Sequence, residues 1–546
     1  MACCTHENPL AGSGARTTCP IPAIPSRVVP NREYSINTGG TSDTAIGRTG
    51  QRMKESTKFA FDISWVFVGQ IITLGSGFLL NIVLSRWLGP ADFGLYTLTL
   101  TLFTISTLVA GLGIPETVVK YVADYKSDQE RLNAIVTSGI INALLLGTVA
   151  GFAFFIFAGE IAALFGMQEL SGLIRIIALA VPLAIVNTTL LGLLNGLREM
   201  RSYSFRFMIR SLLLIVLVVL FIAAGLGPGG AVLALLLTEV GTLAFVVSVV
   251  RQHFRLSVSG HRETSKKMLA FGSRIFIASA VYLINTYTDT LLIGYMLTEI
   301  DVGRYAIAIA IARVAFLSLP GSFSTVNYPA ISEYYSKGLR DAVEDLITRS
   351  IRYCLALLSM MGLVLIYLAE TIIGFIFGPA YLPAVPALTV LVFGMIAFGA
   401  VSSVGSAVSA MNRPGLSSKV NILVAGANVC LDLALIPLFG ITGAAIGTAV
   451  SCTLLAVLIL YILRRVFDVR VESALIVKTF GAVSIFLLAF FLLRGMVHPY
   501  VLAVIFSGLY GVCIYRLLLT PEDKRDIFGA ISPIFERIAT RRLNGR

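Results

Sequence analysis

Charge is what this sequence has least of. Only 13% of its 546 residues are Asp, Glu, Lys or Arg, against the roughly 25% a water-soluble domain uses to cover its surface. Mean hydropathy is +0.86 and 56% of residues are hydrophobic, so water is not the main solvent. Alternating ten-residue segments are missing too, which excludes a membrane β-barrel. The seven cysteines show no pairing or metal-ligand spacing: Cys3, Cys4 and Cys19 lie in a polar tail, and Cys354, Cys430, Cys452 and Cys513 in apolar stretches. No Walker A loop, HExxH or nucleophile elbow occurs, and no segment is long and polar enough for a soluble catalytic domain. The reading is a non-enzyme without cofactor or metal.

What is present is a series of apolar runs near 20 residues each, the length that crosses a ~30 Å hydrocarbon layer. Backbone in lipid must satisfy its own hydrogen bonds, so these runs are predicted as helices. Fourteen spans are expected: 62–84, 93–113, 134–157, 173–196, 206–226, 230–250, 271–296, 304–326, 352–376, 384–410, 418–438, 442–463, 475–493 and 498–519. The net charge of +12 is not gathered into a nucleic-acid patch. Lys and Arg collect after the even-numbered spans, as in Lys120, Lys126 and Arg131, or Arg198, Arg201, Arg206 and Arg210. The loops "GLGPGG", "FGPAYLPA" and "FGITG" hold none. By the positive-inside rule both termini face the cytosol of a multi-pass plasma-membrane protein. Residues 1–58 are polar, lack a signal-peptide core and are expected to be disordered, with Met53 as an alternative start.

The sequence also repeats itself. "LSRWLGPADFGLY" (84–96) aligns with "IGYMLTEIDVGRY" (293–305), pairing Leu88 with Leu297, Asp92 with Asp301, Gly94 with Gly303 and Tyr96 with Tyr305. Pro115 and Tyr121 match Pro329 and Tyr335, and "GGAVLA" (229–234) matches "TGAAIG" (442–447). Six spans per copy is an even number, so the copies are parallel. The expected organisation is a six-helix bundle over 59–250, a cytosolic linker at 251–270, and a second bundle over 271–465. Two extra spans over 466–520 and a cytosolic tail at 521–546 complete it. Repeats of this kind build alternating-access transporters around a central cavity.

Three stretches carry a resemblance: "SRWLGPADFGLYTLTLT", "TDTLLIGYMLTEIDVGRYAIA" and "PAISEYYSKG". They resemble the polysaccharide-biosynthesis exporters, the O-antigen-type flippases of the multidrug/oligosaccharidyl-lipid/polysaccharide superfamily, over roughly residues 60–520. The resemblance implies a V-shaped, two-bundle fold that moves a polyprenyl-(di)phosphate-linked oligosaccharide between leaflets, with membrane lipid and glycan-assembly enzymes as partners. It carries over no site residue.

Ionisable residues inside the membrane are the candidate sites. Arg313, mid-span, offers a permanent cation with several donors for a phosphate, or an ion pair for Asp289. Asp289 shares a helical face with Tyr282 and Asn285: a cavity wall, an ion-coupling carboxylate, or a tie between helices. Glu239 and Asp432 are further ion-coupling candidates, or are partnered by another helix. Arg86 and Arg304, at the outer face, either receive the emerging phosphate or reach for headgroups. Gln70, Asn81 and Asn187 suit sugar hydroxyls or interhelical hydrogen bonds. Two other functions stay open: an ion-coupled antiporter of organic cations, and a membrane polymerase or ligase. The short outer loops count against the latter.

Overall fold

A computed structural model describes residues 43–257, 260–471 and 473–525. Met1–Ala60 and Phe61–Arg546 are separate compact units, and the second holds every membrane-length helix. Among the described residues all regular structure is helical. The helices are α1 (Asp43–Gly111), α2 (Ile114–Tyr125), α3 (Gln129–Ile156), α4 (Ala158–Leu164), α5 (Leu170–Ala178), α6 (Ala180–Gly196), α7 (Met200–Ala223) and α8 (Gly227–Val250). After a connecting segment come α9 (His261–Met296), α10 (Glu299–Ser336), α11 (Arg340–Tyr367), α12 (Ala369–Ile372), α13 (Val385–Ser402), α14 (Ala407–Ala410), α15 (Pro414–Phe439), α16 (Ile441–Val466), α17 (Ser473–Leu493) and α18 (Pro499–Leu517). Between α12 and α13, Ile373–Phe377 winds as a π-helix and Pro379–Ala384 as a 3-10 turn. The tail expected at 1–58 overlaps α1 from Asp43 onward; its first 42 residues, and 526–546 of the C-terminal tail, lie outside the described residues.

Among the described residues ten helices are long and apolar enough to cross a membrane, and thirteen if three bent pairs each count once. Each expected span falls on helix. The count of fourteen is not reached because Val68–Gly111 passes as one 44-residue element. That element is broken at Gly89, whose φ of 76° and ψ of 177° are not helical. Pro90 follows at the first position of the next helix, where its missing N–H costs nothing. The repeat explains the break. In the second copy the same register holds Thr298, which caps α10 by a reciprocal box with Asp301. The first motif is therefore a helix start, and the expected gap between spans 1 and 2 falls on it.

Many large apolar side chains face outward, among them Phe152, Phe375, Val477 and Val504, as lipid-facing helices require. α11 and the stretch 379–410 are instead largely enclosed by protein. α13 packs on α10, α11 and α16, while α6 packs on α2, α3 and α8. α9 touches both groups. Its first part lies along α2 and α3, with Ser265 donating to Asn142 Oδ1 at 2.7 Å and His261 Nδ1 3.1 Å from Ser138; its second part meets α10, α15 and α16. A 45° bend separates His261–Ile277 from Ser279–Met296. Residues 261–270, placed by sequence in the linker, thus open the helix.

At one end the two groups meet through the repeated motif itself. A β-carbon on Gly94 would collide with the Glu299 carbonyl, and one on Gly303 with the Pro90 carbonyl. Glycine is required there because backbones touch. Tyr381 closes the same end, donating to the Ser85 carbonyl at 3.2 Å and meeting Phe93 edge-on.

α17 and α18 cover α11 through an aromatic stack of Tyr367 on Phe490, centroids 4.2 Å apart. Beyond α18, buried Asp523 accepts from Arg352 at 2.7 Å and Tyr353 at 2.8 Å and pairs reciprocally with Thr520. Burial would raise the pKa of this carboxyl, but the hydrogen bonds from Thr520, Tyr353 and Arg352 prevail and hold it at about 2.

Candidate functional site

Two buried polar clusters are assembled, one from each copy of the repeat. In the second copy, Asp289 of α9 is 7% exposed. Its Oδ2 accepts from Tyr305 Oη of α10 and Thr448 Oγ1 of α16, both at 2.5 Å. Asp432 of α15 is fully buried beside it, in reach of the Asp289 carboxyl, and neither of its oxygens meets a donor among the described residues. Gly447 leaves the room: a β-carbon there would strike Asp432 Oδ1. Asn428 is buried one turn away. Two carboxylates side by side and out of water repel unless a proton or a cation lies between them. Tyr305 and Thr448 were missed as site residues; Tyr305 was visible only as a repeat match.

In the first copy, Glu239 of α8 is 2% exposed. Its basic partners come from a neighbouring helix, one of the two readings the sequence allowed. Arg210 Nε lies 3.0 Å from Oε1 and Arg206 Nη2 lies 3.8 Å from Oε2. Asn187 Nδ2 donates to Oε2 at 2.8 Å and to the Glu239 carbonyl at 3.0 Å. This cluster borders a cavity of about 340 Å³ lined by Thr104, Thr107, Thr188, Arg206, Arg210 and Glu239, among others. The sequence groups both arginines with the cations that follow span 4, although they also open the expected span 206–226. α7 begins at Met200, so they stand on one helical face inside the fold. Their four-residue spacing was the available signal.

Arg313 of α10 is half-buried, and its Nη2 donates to the Thr286 carbonyl at 2.8 Å. The ion pair with Asp289 is not formed. Asp289 is taken by Tyr305 and Thr448, and among the described residues no carboxylate lies within ion-pair distance of Arg313. Tyr282 and Asn285 are exposed on the face that buries Asp289. Gln70 is exposed and lines a smaller cavity of about 230 Å³ with Thr73, Tyr203 and Ser204; Asn81 is half-buried elsewhere on α1. Arg86 donates to the Phe375 and Ile376 carbonyls, and Arg304 to that of Ala380. Both expected phosphate receivers thus hold the 373–384 segment at the closed end.

A helical membrane protein with buried charge clusters in each of two repeats is a transporter by architecture. Residues 59–335, just over half the chain, match the family model of the polysaccharide biosynthesis proteins, and the chain belongs to that family. It is 24% identical over 392 residues to the probable low-salt glycan biosynthesis flippase Agl15 of Haloferax volcanii, covering 71% of this chain and 79% of that one. Among solved structures, the lipid II flippase MurJ in an inward closed conformation superposes with a TM-score of 0.67 at 16% identity, over 84% of this chain and 98% of that one. An inward-facing multidrug resistance MATE family transporter gives 0.60 at 17%, over 72% and 94%. Both likenesses are of fold.

Proposed function

We propose that this chain is a flippase that carries a lipid-linked oligosaccharide across the cytoplasmic membrane by alternating access. The observation that carries the reading is Arg313: a half-buried, mid-helix guanidinium with no carboxylate in reach among the described residues, so its donors are available to a phosphate. The name of Agl15 supports a glycan cargo. In this reading Val68–Gly111 spans twice, dividing at Gly89, and both termini face the cytosol, as the distribution of Lys and Arg requires. The six-helix bundles divide near 250, with α9 crossing from one to the other. Asp289 and Asp432 couple a proton or Na⁺ to transport, and Tyr282, Asn285, Gln70 and Asn81 offer polar contacts to sugar. Glycan-assembly enzymes supply the substrate. The role is transport rather than catalysis.

The rival is an organic-cation antiporter, which the MATE likeness admits by fold. Such a protein needs anionic groups on an open cavity. Here Asp289 and Asp432 are 7% and 0% exposed and offer no surface to a bulky cation.

The test is flipping in proteoliposomes. A fluorescent polyprenyl-diphosphate-sugar is incorporated and its outer-leaflet fraction read with a quencher. Wild type is expected to equilibrate the lipid, and Arg313→Ala to fold while slowing flipping at least tenfold. Extrusion of an organic cation by wild type, with no movement of the lipid-linked sugar, would replace this reading by the antiporter.

A further inference from the structure

Two arginines in the first copy share one carboxylate. Arg206 and Arg210 project from the same face of α7 onto Glu239. Each guanidinium carries five N–H donors, and a single carboxylate cannot satisfy both. Arg206 is 5% exposed, yet its Nε has no acceptor among the described residues. Asn187, donating to Glu239 Oε2, spends part of the carboxylate's capacity as well. The group therefore holds a net positive charge with spare donors, out of water, where an unmatched charge is costly. Arg210 is 30% exposed, and both arginines line the cavity of about 340 Å³. The hydroxyls of Thr104, Thr107 and Thr188 lie around the same cavity, and Glu116 sits exposed at its rim. Arg210 is ten residues into α7, about 15 Å along the helix from its start.

We infer that this cavity is a binding site for the phosphate group of a phosphate-bearing amphiphile, and that Glu239 is the internal anion occupying the arginines when the ligand is away. An incoming phosphate or diphosphate takes the spare donors of Arg206, draws Arg210 off Glu239, and is released when Glu239 pairs again. Guanidinium forks match phosphate oxygens two at a time. On the flippase reading above, the ligand is the (di)phosphate that joins lipid to glycan. The same chemistry is offered by an anionic bilayer headgroup. Arg313 stands in the other copy of the repeat and is not among the residues lining this cavity.

The test uses the full chain in phosphatidylcholine nanodiscs with farnesyl diphosphate as probe and farnesol as the uncharged control. Dissociation constants and thermal midpoints are read for wild type, Arg210→Gln and Glu239→Gln. Arg210→Gln is expected to weaken farnesyl diphosphate at least tenfold. Glu239→Gln, which removes the competing anion, is expected to tighten it about tenfold and to enlarge the ligand-induced rise in midpoint. Farnesol should respond to neither change. A purely structural ion pair predicts lower midpoints for both variants with no opposite effects on affinity, and that result overturns the inference. If Arg210→Gln does not fold, the sign of the Glu239→Gln effect alone decides. Nanodiscs containing phosphatidylglycerol separate the sources: if that lipid displaces farnesyl diphosphate from wild type but not from Arg210→Gln, the phosphate site stands and belongs to bilayer lipid. Should wild type flip a lipid-linked sugar while the Glu239→Gln sign is absent, the site falls and the flippase stands. Should wild type bind with that sign yet flip nothing, the reverse holds.

Discussion

The crossing of Gly94 and Gly303 makes a quantitative demand on alternating access. At Gly303→Ala the new methyl would meet the Pro90 carbonyl and the Gly94 amide. Both are backbone, so no flexible side chain can swing aside. Overpacking of this kind costs about 1–3 kcal/mol. Alanine is also the better helix former, by about 1 kcal/mol over glycine, and Gly303 lies inside α10. These two terms act on different equilibria. The helix-propensity gain applies equally whether the end is closed or open, whereas the collision exists only when it is closed. Global stability should therefore change little, while the closed population falls about 5- to 150-fold relative to the open one.

The measurement is a spin-label distance across that end. Trp87 and Phe375 are 54% and 78% exposed and neighbour the Arg86–Phe375 hydrogen bond, so labels there leave the core intact. In a cysteine-free background wild type should give a dominant short distance, and Gly303→Ala a dominant longer one with an unchanged thermal midpoint. A folded Gly303→Ala protein with the wild-type distance distribution would refute the reasoning, because the end would then not open as a unit.

Other outcomes follow from the clusters. Asp432→Asn removes a fully buried carboxyl that meets no donor among the described residues, so the thermal midpoint should hold or rise by a few degrees, while flipping driven by an imposed pH or Na⁺ gradient loses its dependence on the gradient. Asp523→Asn leaves Arg352, itself buried, without its carboxylate, at a cost of about 3–5 kcal/mol, read as a fall in thermal midpoint. The pH dependence has a definite sign. Because the folded carboxyl titrates near 2 rather than 3.8, it stabilises above about pH 4 by about 2 kcal/mol, and that contribution is lost as pH falls toward 2; Asp523→Asn should flatten this acid limb.

The helices were legible because lipid leaves backbone no alternative. The motif pair Gly94/Gly303 was legible as a repeat, though not as a contact: a repeat in sequence says nothing about which copies touch. The sites were harder. Glu239 stood out as a buried acid, but its partners were hidden because both arginines open the apolar run at 206, where cations read as the close of the preceding loop. Asp289 and Asp432 stood out singly, since each is an acid in an apolar helix. Their meeting depends on three-dimensional packing of α9 against α15, and Thr448 is an unremarked hydroxyl until that packing places it. An ion pair with Asp289 was one of the two readings open for Arg313, both being charged groups within apolar helices. Tyr305 won that carboxylate by being closer in space.

The repeat also explains one defect and turns it into a test. Tyr96 and Tyr305 occupy the same register, and both are buried, at 3% and 1% exposure. The hydroxyl of Tyr305 donates to Asp289. By the same 209-residue offset that pairs the tyrosines, the first copy has Leu80 where the second has Asp289, and the hydroxyl of Tyr96 is left with no partner among the described residues. An unpaired buried hydroxyl costs about 1–3 kcal/mol. Tyr96→Phe should then leave stability unchanged or raise it by about 1 kcal/mol, with transport intact. Tyr305→Phe takes a donor away from Asp289 and should shift the ion dependence of flipping even where the thermal midpoint moves little. Equal effects at the two positions would mean that the copies are functionally alike. Unequal effects would locate the directionality of a symmetric scaffold in a carboxylate that only one copy carries.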